Sequence, residues 1–344
     1  MSRRPVIRFG QHVHLPIAPR PAMIQLALLC LLFAAALWAL SLGSTPVRTV
    51  DLLHWLAPFI DADGETGSIM LLRWPRVVVA ILAGAMVAAS GHLLQIVSRN
   101  GLADPGLLGI SQGTMASVVL GATLFGLPPQ WLAPAGFLGG MATAILVLSL
   151  AYRLTSTSGL ILVGLAVSIV LGAIIEIIMV EGGILQFARW LSWSHGSLTA
   201  ASAEDAVLVS LWGLPLIALT LLAARLTTPL LLGHEQAAAL GTAPRRLALL
   251  LTLLSAALVA PVVAVIGPIA FLGLIAAHVS RMLVGERPQT ALPVSMTSGA
   301  LILLVADTAG RTLFLPLVVP AGILVSITGV VAFLVVARLA SIRR

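Results

Sequence analysis

Apolar residues run along this chain in blocks of about twenty, the length a helix needs to cross a bilayer. Short clusters of Arg, Pro, Gly or acidic residues separate them. Ten blocks are predicted as spanning helices, at roughly 22–42, 77–97, 106–126, 131–151, 159–180, 206–224, 247–266, 268–284, 291–310 and 317–337. The block at 268–284 is short and carries His278 and Arg281, and the blocks flanking Gly267-Pro268 can also be read as one broken helix. Small residues from Gly84 to Gly91 and from Gly136 to Gly140 predict close helix packing, since lipid offers no hydrophobic force to drive helices together. The first block follows Arg3, Arg4, Arg8 and Arg20 but lacks a small-x-small cleavage pattern, so it is expected to be a retained span. The expected fold is an all-α polytopic membrane protein of about ten transmembrane helices. Residues 1–344 are expected to form a single transmembrane domain with a cytoplasmic tail over 1–21 and a cytoplasmic loop over 225–246.

Composition narrows this further. The 344 residues are 59% hydrophobic and 9% charged, with a mean hydropathy of +1.10, which excludes a soluble globular protein. At ~20 residues per span and about 10 per connection, at most about eleven spans fit and no sizeable extramembrane domain remains. The net charge is +7, and all nineteen basic residues are Arg. Without Lys there is no G-x-x-x-x-G-K-[ST] phosphate loop and no Schiff base, so any ATP must be hydrolysed by a partner. With the N-terminus inside and ten spans, all Arg except Arg48, Arg73, Arg76, Arg189 and Arg311 fall on the cytoplasmic side, as the positive-inside rule requires. Cys30 is the single cysteine, which excludes an intrachain disulfide.

Two connections are long. The external one, about 43–72, contains Asp51, Asp61, Asp63 and Glu65 and predicts a polar loop with one short helix. The internal one, 225–246, has helix formers from His234 to Leu240 closed by Gly241, which predicts a short cytoplasmic helix.

Within this frame a few residues stand out. Arg73-Trp74-Pro75-Arg76 lies at the outer end of the second span, with Pro75 suited to a first helical turn. It is read either as an interfacial anchor or as a dock for acidic side chains, which the guanidinium fork binds bidentately. Asp104, before Pro105, is expected to cap the third span. Gly267 to Ile275 opens the eighth span, and His278, on a membrane helix, is a functional candidate, read as a buried hydrogen-bonding His ahead of a metal ligand. Asp307 and Arg311 are an i, i+4 pair, and Glu176, costly in lipid, is expected to face a cavity or a partner chain. No catalytic constellation, metal-ligand spacing or cofactor motif is present, so no metal, cofactor or enzymatic role is expected. The basic residues follow topology, which gives nucleic-acid binding no support.

Taken in order, Arg73-Trp74-Pro75-Arg76, Asn100 to Gly109, Leu240-Gly241, Gly267 to Ile275 with His278 and Arg281, Asp307 with Arg311, and Pro320-Ala321-Gly322-Ile323 resemble the iron-siderophore and cobalamin (FecCD-type) permeases of ABC importers. The resemblance covers about residues 70 to 340. It implies ten spans, a homodimer around a central pathway, two cytoplasmic ABC ATPase subunits and an external or periplasmic substrate-binding protein. By the same resemblance Arg73, Arg76 and Arg311 are docking positions for the binding protein. His234, Glu235, Ala238, Leu240 and Gly241 belong to an ATPase-coupling segment, and Asn100, Leu102, Thr157 and Ser158 to a cytoplasmic gate. Gly101 and Ala277 stand where the family commonly has Pro.

The function expected on these grounds is that of a permease subunit importing a ferric siderophore, with haem and cobalamin as alternatives. It would sit in the plasma membrane, the inner one in a Gram-negative host, with both termini cytoplasmic. An ion-driven secondary transporter would carry charges deep in several spans, whereas the ionisable residues here mostly lie near span ends. An intramembrane enzyme would need paired catalytic residues at one depth, and none are visible.

Overall fold

The structure, a computed structural model, describes residues 6–9, 13–16, 19–43, 47, 64–151, 157–181 and 190–342. Most of the external connection, with Asp51, Asp61 and Asp63, lies outside the described residues, as do Arg48, Arg153 and Arg189. Ahead of the helices, β1 (Val6–Phe9) and β2 (Val13–Pro16) pair antiparallel, with Val6 opposite Pro16, inside the segment expected to be a plain tail.

Ten helices follow the ten apolar blocks. They are α1 (Pro19–Ser41), α2 (Gly64–Ser98), α3 (Ile110–Thr123), α4 (Pro129–Ala151), α5 (Thr157–Glu181), α6 (Ala203–Ala223), α8 (Pro244–Ile266), α9 (Leu272–Val284), α10 (Pro288–Thr312) and α11 (Ala321–Ile342). A six-residue helix, α7 (His234–Ala239), forms in the long connection before α8, where the helix formers predicted it. Gly241 ends it with φ +79, a left-handed conformation open to Gly at no steric cost.

α2 lies at the centre, buried over most of its length against α8, α9 and α10, whereas α1 and α5 are exposed along nearly all of theirs. Bare backbone contacts set this packing. A Cβ at Gly84 would come 2.5 Å from the Gly299 carbonyl oxygen of α10, and one at Gly91 would come 2.6 Å from the Gly273 Cα of α9. Gly140 lies instead against the side chains of Thr114 and Ala260, joining α4 to α3 and α8. The two small-residue stretches therefore pack as expected.

Several boundaries differ from the sequence reading. α2 begins at Gly64, so Pro75 lies inside the helix and not in its first turn. The 35 residues rise about 52 Å at 1.5 Å each, well beyond a hydrocarbon core of ~30 Å. Neighbouring groups and water can satisfy the carbonyl that Pro75 leaves without its helical donor. Asp104 caps a one-turn 3-10 helix, Pro105–Leu108, and not α3 itself: its carboxylate accepts from Gly106 N–H at 2.9 Å with Pro105 at the first position. Gly109, at φ +75, then redirects the chain into α3.

The alternative of one broken helix across Gly267 resolves as two helices. Residues 267–271 are irregular, with Gly267 at φ +80 and Phe271 at φ +65. A side chain at Gly267 would collide with the Trp193 carbonyl. Unwound backbone at membrane depth survives only where protein or a cavity surrounds it. Here Ser197 N–H donates to the Ile266 carbonyl at 2.8 Å, Gly322 N–H donates to the Gly196 carbonyl at 3.0 Å, and residues 268–271 line a cavity. α3 and α9, with 14 and 13 residues, rise only about 20 Å and cannot cross the hydrocarbon alone. Ala277 lies mid-helix in α9, where the absence of Pro leaves the helix unbroken.

Candidate functional site: a half-open cavity and two polar clusters

The cavity has a volume of about 650 Å³. Its wall runs from Leu102 and Asp104, beside the C-terminus of α2, past Ser111 and Gln112 of α3 and the irregular Pro268–Phe271 stretch. It continues to His195 in the turn after the helical residues 190–194 and to Ser326 and Ile327 of α11. The lining is mainly apolar, with a few polar groups at intervals, the usual make-up of a small-molecule cavity.

Asp104 is the charged group of this wall. Burial pushes its carboxyl up to about 6, against the pull of the Gly106 and Leu274 backbone N–H groups that favour the ionised form. Leu274 lies in the first turn of α9, so a single carboxylate serves the 3-10 turn and also faces the positive end of α9.

At the α7 end, α2 finishes at Ser98, and Arg99 takes a left-handed conformation, φ +48. Asn100 Oδ1 then accepts from Leu102 N–H at 2.9 Å, an Asx turn that presents the half-exposed Leu102. Asn100 and Leu102 thus share one loop at the cavity mouth. Thr157 and Ser158 begin α5, and the placement of their side chains lies outside what is described. In the coupling segment, Ala237 is buried while Glu235, Ala238 and Leu240 face outward, and Thr242 Oγ1 ties the far end of α7 to the Ala237 carbonyl at 2.6 Å. His234 opens the helix.

Arg73 and Arg99 are 26 residues apart on α2 and its terminal turn, which separates the two polar ends by about 39 Å. At the Arg73 end the three docking candidates do converge, around α1. Arg73 Nη1 donates to the Leu40 carbonyl at 2.8 Å and to the Ser41 carbonyl at 3.3 Å. Arg311 donates to the Leu42 carbonyl at 2.6 Å and to the Ala39 carbonyl. Those four carbonyls are the last of α1, which have no partners within their own helix and mark the negative end of its dipole. Two guanidiniums from α2 and α10 therefore cap α1.

Arg76 grips Asp307 side-on, with Nε 2.8 Å from Oδ2 and Nη2 2.7 Å from Oδ1. The i, i+4 pair expected between Asp307 and Arg311 is secondary, at 3.8 Å. Sequence reasoning missed Arg76 as the main partner because 231 positions separate the two residues.

Two other residues differ from expectation. The fully buried histidine is His92 on α2, 2% exposed, whereas His278 is half-buried. Gln95 was not singled out at all: Arg281 Nη1 donates to its Oε1, and its Nε2 donates to the Ala103 carbonyl at 3.3 Å. A Gln near the end of a span carries no distinguishing mark in the sequence. Glu176 is exposed on α5.

Residues 29–338 match the FecCD transport family. Similar proteins include the "Probable siderophore transport system permease protein YfhA" of Bacillus subtilis, 33% identical over 91% of this chain and 93% of that protein. The "Hemin transport system permease protein HmuU" of Yersinia pestis is 37% identical over 75% of this chain and 79% of its own length. Among solved structures, a metal-chelate type ABC transporter in an inward-facing conformation superposes with a TM-score of 0.81. It is 29% identical and covers 92% of this chain and 99% of that one.

Proposed function

The chain belongs to the FecCD transport family, and from that premise we propose that it is the permease subunit of an ATP-driven importer carrying a ferric siderophore or related iron chelate. Haem and cobalamin are the alternative cargoes. The observation that carries this reading is the half-open cavity, mostly apolar and lined at one end by Leu102 and Asp104. A second copy would close its open side. The exposed α5 suits that role, because Glu176 on its surface would be costly against lipid and tolerable against protein or a wet pathway.

In this reading the α7 end is cytoplasmic, together with both termini, because the Arg excess lies there. α7, with Glu235, Ala238 and Leu240 turned outward, meets one of two separate ATPase subunits, and the chain itself performs no covalent chemistry. Arg73, Arg76 and Arg311 lie at the external face, where an external binding protein docks through acidic side chains. Their bonds to the end of α1 and to Asp307 make them a pre-oriented cluster of guanidiniums. Rigid guanidiniums lose less side-chain entropy when a partner arrives.

Co-purification tests the assignment. With its cognate ATPase subunit in liposomes, the chain is expected to form a stable complex with vanadate-sensitive hydrolysis, and Leu240→Asp is expected to weaken the association by at least about tenfold, as for a truncated interface anchor. A stable permease that binds no ATPase and stimulates no hydrolysis refutes the reading.

A further inference from the structure

The loop at the cavity mouth is held from two directions, by contacts that the proposed function does not use. On one side, Arg281 of α9 donates to Gln95 Oε1 on α2, and the same amide passes the contact on through Nε2 to the Ala103 carbonyl, in the loop itself. Arg281 also runs alongside the loop, where a Cβ at Gly101 would come 3.7 Å from its Nη2. On the other side, the left-handed Arg99 lays its guanidinium against Gly233, the residue that opens α7: a Cβ at Gly233 would come 3.1 Å from Arg99 Nη1. Between Gly233 and Ala103 there is only the turn Arg99–Leu102, stiffened by the Asn100–Leu102 bond and by Ala103 N–H donating to the Asn100 carbonyl at 3.1 Å.

We propose that Arg99, Gln95 and Arg281 are positioning residues of the cavity-mouth loop: Arg99 joins it to α7, while Arg281 through Gln95 anchors its Ala103 end on α9 and α2, so that a displacement of α7 turns Asn100–Leu102 about that anchor. This rests on the reading of α7 as the ATPase contact and of Asn100 and Leu102 as a gate. Physically, Gln95 suits the task because an amide both accepts and donates. A carboxylate in its place keeps the acceptor for Arg281 but turns a second acceptor toward the Ala103 carbonyl and breaks the link to the loop. Arg99 suits it because its strained φ fixes the guanidinium on Gly233, while a Gly would keep the backbone turn and lose the contact.

The test uses the permease–ATPase complex in nanodiscs, with Cys30→Ser and Leu102→Cys so that the loop carries the only thiol. A maleimide probe is then applied without nucleotide and after ATP–vanadate trapping. In this background the labelling rates are expected to differ between the two states. Gln95→Glu and Arg99→Gly are each expected to shrink that difference by about fivefold, the order that the loss of one neutral contact of the Gln95–Ala103 kind produces, while ATPase binding and hydrolysis persist. A merely structural role for Gln95 would leave the ratio intact in Gln95→Glu, which keeps its bond to Arg281. Arg99 is exposed and its Gly variant relieves backbone strain, so that variant decides the matter if Gln95→Glu does not fold. Either variant keeping both hydrolysis and the original ratio overturns the proposal. A background complex whose labelling ignores nucleotide overturns the gate reading itself.

Discussion

Asp307→Ala is expected to lower the thermal midpoint of the purified protein more than any other single polar substitution among the described residues. Asp307 is 4% exposed and Arg76 18%, and the two meet through three short contacts between α10 and α2. Removing one partner of a buried pair leaves a desolvated charge without its counter-ion, at a cost of about 3–5 kcal/mol. Partial exposure of Arg76 puts the loss near the lower figure. It is made worse by the neighbours, because Arg73 and Arg311 stand in the same cluster and Asp307 moderates their mutual repulsion. The double replacement Arg76→Met with Asp307→Leu is expected to regain most of the stability, since apolar groups of similar volume leave no charge to satisfy. A midpoint for Asp307→Ala equal to that of the unmodified protein in detergent would show that the pair does not hold α10 to α2.

The second large effect belongs to the helix crossings. Gly91→Val puts a branched side chain where even a Cβ would stand 2.6 Å from the Gly273 Cα. Backbone cannot rotate aside as a flexible side chain can, so α2 and α9 must separate along their contact. Overpacking costs about 1–3 kcal/mol where side chains can adjust and more where they cannot. The expected outcome is loss of the monodisperse protein on size exclusion, with Gly84→Val behaving alike against Gly299. Gly67→Val, in the same helix, is the control: a Cβ there meets nothing within 4 Å, so its effect should stay within about 0.5 kcal/mol. Normal yield and midpoint for Gly91→Val would mean that the two helices do not cross as closely as described.

These two cases also mark what is legible in the sequence. Spans are readable because crossing a bilayer imposes a minimum apolar length, and Gly-rich stretches because lipid leaves close packing as the main adhesive. Local caps are readable in part: Asp104-Pro105 announces a helical start, but nothing in it distinguishes a single 3-10 turn from a full span. The start of α2 at Gly64 is hidden, since Arg73 and Pro75 interrupt the apolar run and Pro is commonest in a first turn. Pairings are least legible. Arg76 with Asp307, and Gln95 with Arg281, are contacts between helices remote in the chain, and neither has a local periodicity to betray it. The Arg exceptions to the positive-inside bias are conspicuous by charge alone. The capping of α1 by two of them, Arg73 and Arg311, is not, because carbonyl acceptors leave no trace in residue identity.

The central claim is that this chain conducts an iron chelate on energy supplied by another subunit. The most direct measurement is uptake of radioiron-labelled ferric hydroxamate, ferric citrate and hemin, with labelled cobalamin alongside, into liposomes holding the permease, its ATPase and the binding protein. Uptake of at least one iron chelate that requires ATP, stops with vanadate and disappears when the ATPase is omitted is the expected result. Chelate uptake that persists without ATPase or nucleotide and instead follows an imposed ion gradient would contradict it.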